Sequence, residues 1–313
     1  MLFPLNRRGF LRLSLATSAV SLIPHRLFAQ ASPALAQMRA PALTTPITTT
    51  KLYENLFLLQ GSGGNMAAQI GPEGKLLIDS SYLPAVPKIL EALSALSKDP
   101  NDALINTHWH VDHVDGNEDL HKAGFSVMAH TKTRERLSTP QTIRLLQLDI
   151  PAYPAAAWPT ITFDESLHAW HNGDSLDLVH FDPAHTDTDI YIHFHKANVL
   201  HVGDIWFNGF YPLIDESSGG NIHGMVKASQ KALDVASSDT KIIPGHGPLG
   251  TKSDLQAYHD MLATVRDRVA AIKATGASEK ETVAKNPTAE FDAKWGKGFM
   301  KPEVFTGIVY RTV

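Results

Sequence analysis

From residue 51 onward the apolar positions fall into short runs: Leu56-Phe57-Leu58-Leu59, Met66 to Ile70, and Lys75-Leu76-Leu77-Ile78-Asp79. Gly61-Ser62-Gly63-Gly64 and Gly71-Pro72-Glu73-Gly74 separate them. Such runs between glycine-rich turns predict consecutive antiparallel strands. Between Pro84 and Leu96 the period becomes helical, with Val86, Ile89, Leu90, Leu93 and Leu96 on one face and proline near the first turn. Ala103 to Thr107 returns to strand, and Gly116-Asn117-Glu118-Asp119 opens a short helix with acids in its first turn. Residues 137–165 are less regular; Pro151, Tyr153, Pro154, Trp158 and Pro159 suggest an ordered lid rather than a core-packing arm. Strands resume at Leu167–Trp170, Leu176–Phe181, Ile190–His193 and Val199–Val202. A helix follows over Asn221–Ala236, then a strand at Lys241–Ile243. Leu255, Tyr258, Met261, Leu262, Val265, Val269 and Ile272 mark an amphipathic helix, with Thr251 and Asp254 as its capping box. The C-terminal residues read as helical, with Val304, Phe305, Ile308 and Val309 as a docking stripe. Strands then helices, twice over, predict two sheets faced by helices on both outer sides.

The start of the chain follows another pattern. Asn6-Arg7-Arg8-Gly9-Phe10-Leu11-Arg12 sets an arginine pair before the apolar run Leu13–Ile23, with small residues and candidate cleavage sites after Ala31 or Ala36. This resembles a bacterial twin-arginine signal peptide; the run is too short, and too rich in Ser, Thr and Ala, to span a membrane. The resemblance implies a leader over 1–36, export of the folded protein to the periplasm, and a single domain over 37–313 with no stable membrane anchoring. Residues 37–50, rich in Pro, Ala and Thr, predict an extended segment. Loss of residues 1–36 moves the formal charge from −4 to −8, because it removes four arginines and no acid. An acidic chain has no electrostatic footprint for nucleic acid or anionic membrane. The remaining composition, 43% hydrophobic and 19% charged over 313 residues, is that of an ordinary globular protein. There is no cysteine, which excludes disulfides, thiolate ligands and a thiol nucleophile.

The candidate chemistry lies in His108-Trp109-His110-Val111-Asp112-His113, three imidazoles and a carboxylate within six residues directly after a predicted strand. A loop leaving a strand end can aim several of these side chains into one cavity, and imidazole nitrogen with carboxylate oxygen suits zinc and related divalent ions. Further donors follow in order: His185 in Pro183-Ala184-His185-Thr186, Asp204 in Val202-Gly203-Asp204, and His246 in Pro244-Gly245-His246-Gly247.

This ordered set resembles the metallo-β-lactamase superfamily over roughly residues 50 to 250. The resemblance implies an α/β fold, a four-layer αββα sandwich with the metal site at the edge of the two sheets. It implies that His108, His110 and His185 hold one metal, that Asp112, His113 and His246 hold a second, and that Asp204 bridges them. Two zinc ions are implied, with Mn or Fe able to take the same donors; zinc lowers the pKa of a bound water from about 15.7 to about 7. Asp112 would be catalytic as well, orienting the attacking hydroxide. The first turn, with Asn65 and Met66, falls where related enzymes place a loop over the substrate, and reads equally well as a plain hairpin turn. The aromatic run after Asp204 is a candidate substrate wall, with Trp206, Phe207, Tyr211, Asn221 and His223 exposed.

Asp204 and the lack of cysteine favour the glyoxalase II-like side of the superfamily. The expected activity is an exported binuclear zinc metallohydrolase cutting an ester, thioester, lactone or related bond of a small molecule. The alternative is a metallo-β-lactamase hydrolysing β-lactam antibiotics. An iron enzyme on the same fold fits less well, because diiron reductases of the superfamily usually carry Glu where this chain has His110. A periplasmic metal-binding scaffold would not need a complete ligand set beside an aromatic wall.

Overall fold

The computed structural model describes residues 32–313; the arginine pair Arg7-Arg8 and most of the expected leader lie outside the described residues. The described chain opens with a helix, α1 (Pro33–Arg39). Ser32 caps it, its Oγ accepting from the Leu35 N–H at 3.3 Å, and Pro33 takes the first turn, where a missing N–H costs nothing. A 3-10 turn continues over Ala40–Leu43. Here the structure departs from the expected boundary at residue 36 and from the extended segment after it: Leu35 and Ala42 are buried in a hydrophobic core, so α1 belongs to the domain.

Four antiparallel strands follow, β1 (Thr48–Lys51), β2 (Leu56–Gln60), β3 (Met66–Gln69) and β4 (Lys75–Ile78). Helix α2 (Val86–Leu96) crosses to β5 (Asn101–Ile105), parallel to β4. The short helices α3 (Val111–Val114) and α4 (Asn117–Lys122) lead to β6 (Ser126–His130) and α5 (Thr131–Leu137). A small hairpin, β7 (Gln141–Ile143) and β8 (Leu148–Ile150), precedes β9 (Ile161–Phe163), which closes the first sheet in the order β1-β2-β3-β4-β5-β6-β9. The second sheet runs β10 (Ser166–His171), β11 (Asp174–His180), β12 (Ile190–Phe194), β13 (Val199–His201) and β14 (Lys241–Ile243), with α6 (Ile222–Val235) between the last two strands. Helices α7 (Lys252–Ala274), α8 (Glu279–Ala284), α9 (Asp292–Trp295) and α10 (Pro302–Thr312) complete the chain. The predicted capping box of α7 is present: Asp254 accepts from the Thr251 N–H at 2.9 Å, and Thr251 Oγ1 accepts from the Asp254 N–H at 3.4 Å.

Strand alternation builds the layers, because successive side chains point to opposite faces. Leu58, Ala67, Leu76 and Ile78 of the first sheet meet Leu178, Ile192, Phe194 and Val199 of the second in a central core. Leu59, Met66, Ala68 and Leu77 face the other way, onto α1, α2 and α4. On the far side of the second sheet, Tyr191 and Leu200 pack under α6, α7 and α10. The result is the expected αββα sandwich. The lid expectation for residues 151–159 is corrected: this is a packed arm. Ala157 is buried, its carbonyl accepts from Asn117 Nδ2 at 3.1 Å, and Tyr153 packs onto the core beneath the first sheet's helices.

Candidate metal centre

Strand ends of both sheets converge here. After β5 the chain turns through Asn106 and Thr107 and delivers His108 and His110 from the loop, then Asp112 and His113 from α3. The loop between β11 and β12 delivers His185; the turn after β13 delivers Asp204; the loop after β14 delivers His246. All seven donors predicted from sequence are brought together. One donor atom from each of His108, His110, His185 and Asp204 lies within 4.8 Å of the others, and Asp112, His113 and His246 form a second group by the same measure. Asp204 faces both. Its carboxylate oxygens lie 3.4 Å from His185 Nε2 and 3.8 Å from His108 Nε2, and also 3.2 Å from His113 Nε2 and 3.3 Å from His246 Nε2.

The donor set fits a divalent cation. His108 Nε2 and Asp204 Oδ1 are buried without a hydrogen-bond partner, an arrangement that is costly unless something else satisfies them. The opposite ring nitrogens are held from behind, which fixes the atom each imidazole offers. His113 Nδ1 donates to Asp79 at 2.8 Å, His185 Nδ1 to the Leu213 carbonyl at 2.7 Å, and His110 Nε2 to Asp215 at 3.2 Å. His108 Nδ1 bonds Thr107 Oγ1 at 3.0 Å, and that hydroxyl donates to Asp79 at 2.7 Å. His110 therefore offers Nδ1, while His108, His113 and His185 offer Nε2.

Burial drives the His108 imidazole well below its ordinary range and His185 down to about 4. Burial opposes charge on His113 and His246 too, but Asp204 and Asp112 outweigh it, lifting His113 well above the usual value and His246 to about 10. Against its own burial, Asp112 is held at about 2 by His113 and His246. Asp204 is held low by His246 and His113 in the same way. Both carboxylates are thus anionic across the neutral range.

Two glycines let the ligand loops close. A Cβ on Gly64 would sit 2.1 Å from the His113 ring, and one on Gly245 would sit 1.9 Å from Asp204 Oδ1. The expectation of a substrate loop at Asn65 and Met66 is corrected by burial: both are inside. Asn65 instead braces the His246 loop, its N–H donating to the Gly245 carbonyl at 2.7 Å and its Nδ2 to the Pro244 and Gly247 carbonyls, each at 2.9 Å.

The site opens into a cavity of about 590 Å³ floored by His110, Asp112, His185, Asp204 and His246. Phe207, Phe210, Leu213, Ile143 and Leu146 supply apolar wall, and no Lys or Arg lines it among the described residues. Phe207 was expected there, although it is mostly buried. The other predicted wall residues are elsewhere. Trp206 is fully buried beneath the site, at the 250 turn. Tyr211 is fully buried, stacked on Phe305 with ring centroids 4.7 Å apart, its hydroxyl donating to Asp292 at 2.8 Å. Asn221 caps α6, its Oδ1 accepting from the Gly224 N–H at 2.8 Å, and His223 is exposed on the first turn of that helix, away from the cavity. Sequence reasoning missed Asp79, Asp215 and Tyr82; the first two hold ligands, and Tyr82 lines the cavity.

Two donor groups about one shared carboxylate, at the joined edge of two sheets, define a metal-dependent hydrolase acting on small molecules. The sequence profile of the metallo-beta-lactamase superfamily matches residues 61–248, and the chain belongs to that superfamily. Among solved structures it is similar to a metallo-beta-lactamase from Pontibacter korlensis, at 18% identity and a TM-score of 0.58, over 69% of this chain and 99% of that one. It is similar to the DIM-1 metallo-beta-lactamase at 19% identity and a TM-score of 0.56, over 70% of this chain and 98% of that one. It is also similar to the inverting sec-alkylsulfatase Pisa1 from Pseudomonas sp., at 16% identity and a TM-score of 0.64, over 90% of this chain and 52% of that one.

Proposed function

We propose that this protein is an exported two-zinc hydrolase of the glyoxalase II-like kind, acting on an uncharged ester, thioester or lactone with an apolar portion. The observation that carries the reading is the cavity: a floor of metal donors under an apolar wall, with no Lys or Arg lining it among the described residues. A β-lactam carries a carboxylate beside the ring to be opened, and among the described residues this wall offers it no Lys or Arg. His108, His110, His185 and Asp204 would hold one ion, and Asp112, His113 and His246 a second, with Asp204 shared. When bound, such ions supply Lewis acidity and bring the pKa of a coordinated water to about 7. The chain's own residues do the rest. Asp112, 16% exposed at its side chain and anionic, presents a carboxylate at the cavity floor that can hold the proton of an incoming water. Phe207 and Leu213 exclude bulk water and hold the apolar part of a substrate.

The test is turnover by zinc-loaded protein of a panel containing aryl esters, thioesters, lactones, a sec-alkyl sulfate and a chromogenic cephalosporin. Fastest turnover of a neutral carboxylic ester, thioester or lactone supports the reading. Preference for the cephalosporin, or for the sulfate, overturns it.

A further inference from the structure

Helix α1 closes one side of the cavity: Ala34, Gln37 and Met38 line it. A helix of seven residues is not stable alone, so its position is set by tertiary contacts. Three of these are present. Leu35, 2% exposed, is buried in the core shared with β8. Arg39 forks onto Asp115, with Nε–Oδ2 at 2.8 Å and Nη2–Oδ1 at 2.5 Å. Lys88 Nζ donates to the Ala42 and Thr45 carbonyls just beyond, each at 2.6 Å. Asp115 is itself buried, also accepts from the Leu83 N–H at 2.8 Å, and lies one helical turn after Asp112. The Arg39 latch therefore registers α1 against the metal loop.

What α1 presents to the cavity is apolar and adaptable. Met38 is half-buried, and a thioether side chain with three rotatable bonds moulds to varied apolar shapes. Phe299, 65% exposed, also lines the cavity and adds a large ring there. We propose that Met38 is a specificity-determining residue. It contacts the apolar part of the substrate, away from the bond cut, and sets the length and bulk of the acyl or alkyl group accepted. This rests on the cavity being the substrate site, and not on which bond is cleaved there.

The test reads binding rather than turnover. Acetohydroxamate and decanohydroxamate both chelate metal, but only the second carries a chain for the wall. Their affinities for the zinc-loaded full chain are measured by calorimetry in the wild type and in Met38→Glu, Met38→Ala and Met38→Leu, with metal content and melting temperature checked in each. Each methylene seated on an apolar wall is worth about fourfold in affinity. The wild type is expected to prefer the long chain. Met38→Glu should lower the ratio of the two affinities at least about sixteenfold, equivalent to two seated methylenes. Met38→Ala should lower it less, and Met38→Leu should keep it. A wild-type preference that survives in folded, metal-loaded Met38→Glu and Met38→Ala overturns the assignment to Met38. A wild type with no preference overturns the cavity reading beneath it.

Discussion

Asp79 accepts a hydrogen bond from His113 Nδ1 at 2.8 Å, with both side chains wholly buried. The same carboxylate takes the Thr107 N–H and Oγ1, each at 2.7 Å, and through that hydroxyl it reaches His108. One residue at the end of β4 thus sets the orientation of a ligand in each donor group. It does so from a left-handed backbone conformation, φ 63°, that a non-glycine residue seldom adopts. Asp79→Ala should weaken metal binding roughly 10- to 100-fold, the usual cost of losing a group that orients a ligand. Competition with a graded chelator measures it, and wild-type affinity in the variant would show that the histidines hold themselves.

Asp204 is the second test, because it touches both groups. Asp204→Asn keeps the shape and removes the negative charge between two cation positions that would otherwise repel. One metal equivalent should bind more weakly, and kcat should fall by at least about 10²-fold. His108→Ala, which deletes a donor outright, should be at least as damaging. Full activity of Asp204→Asn with a single bound equivalent in the wild type would replace the two-ion proposal with a one-ion site.

Tyr211 separates a substrate wall from a core. Its hydroxyl ties the run after Asp204 to Asp292 and the Thr288 carbonyl. Tyr211→Phe should cost about 1 kcal/mol of stability, read from urea denaturation, and leave KM where it was. A raised KM with unchanged stability would return Tyr211 to the substrate.

A pH effect follows from two stacked histidines that are not among the metal donors. His130 and His180 lie face to face, 3.8 Å between centroids and 7° between planes. Burial, then the neighbouring His130, brings His180 down to about 4, and burial lowers His130 as well. Lys132 adds to both, while Asp164, Asp182 and Asp187 oppose it in part. The unfolded chain takes up protons at the ordinary value of about 6.5, before the folded one does. Stability is therefore fully present above that value and is lost as pH falls through about 4. His180→Gln should flatten the slope of urea midpoint against pH between these limits. An unchanged slope would assign acid sensitivity to other groups.

Export is tested at Arg7 and Arg8. Replacing both by Lys should strand the protein in the cytoplasm, while the wild type reaches the periplasm. Equal periplasmic yield, or normal yield without the twin-arginine translocase, would sink the proposal.

The metal donors were legible because their chemistry is distinctive and four of them fall within six residues. The alternating strands were legible because a two-residue period survives in short windows. The substrate wall was not. An aromatic residue beside a ligand reads the same whether it faces the cavity, as Phe207 does, or the core, as Trp206 does. What turns Tyr211 inward is Phe305, 94 residues later, which no local pattern discloses. Helix α1 is too short for a period to show, and its register is set by Asp115, far along the chain. Asp79 looks like any acid closing a strand; only its place behind His113 gives it a role.

The two donor groups also draw on distant parts of the chain, His108 to His113 after the first sheet's β5 and His185 to His246 within or after the second sheet. An ion seated among them is a cross-link between sheets in a protein that has no cysteine to make one. Unlike a disulfide, this clasp has a strength set by supply. A ligand that binds only the folded form at a hundred times its dissociation constant adds about 2.7 kcal/mol. With such an ion bound, the melting temperature of this protein would be a gauge of the free metal around it, and scarcity of the ion would loosen the sandwich along the seam where the two donor groups meet.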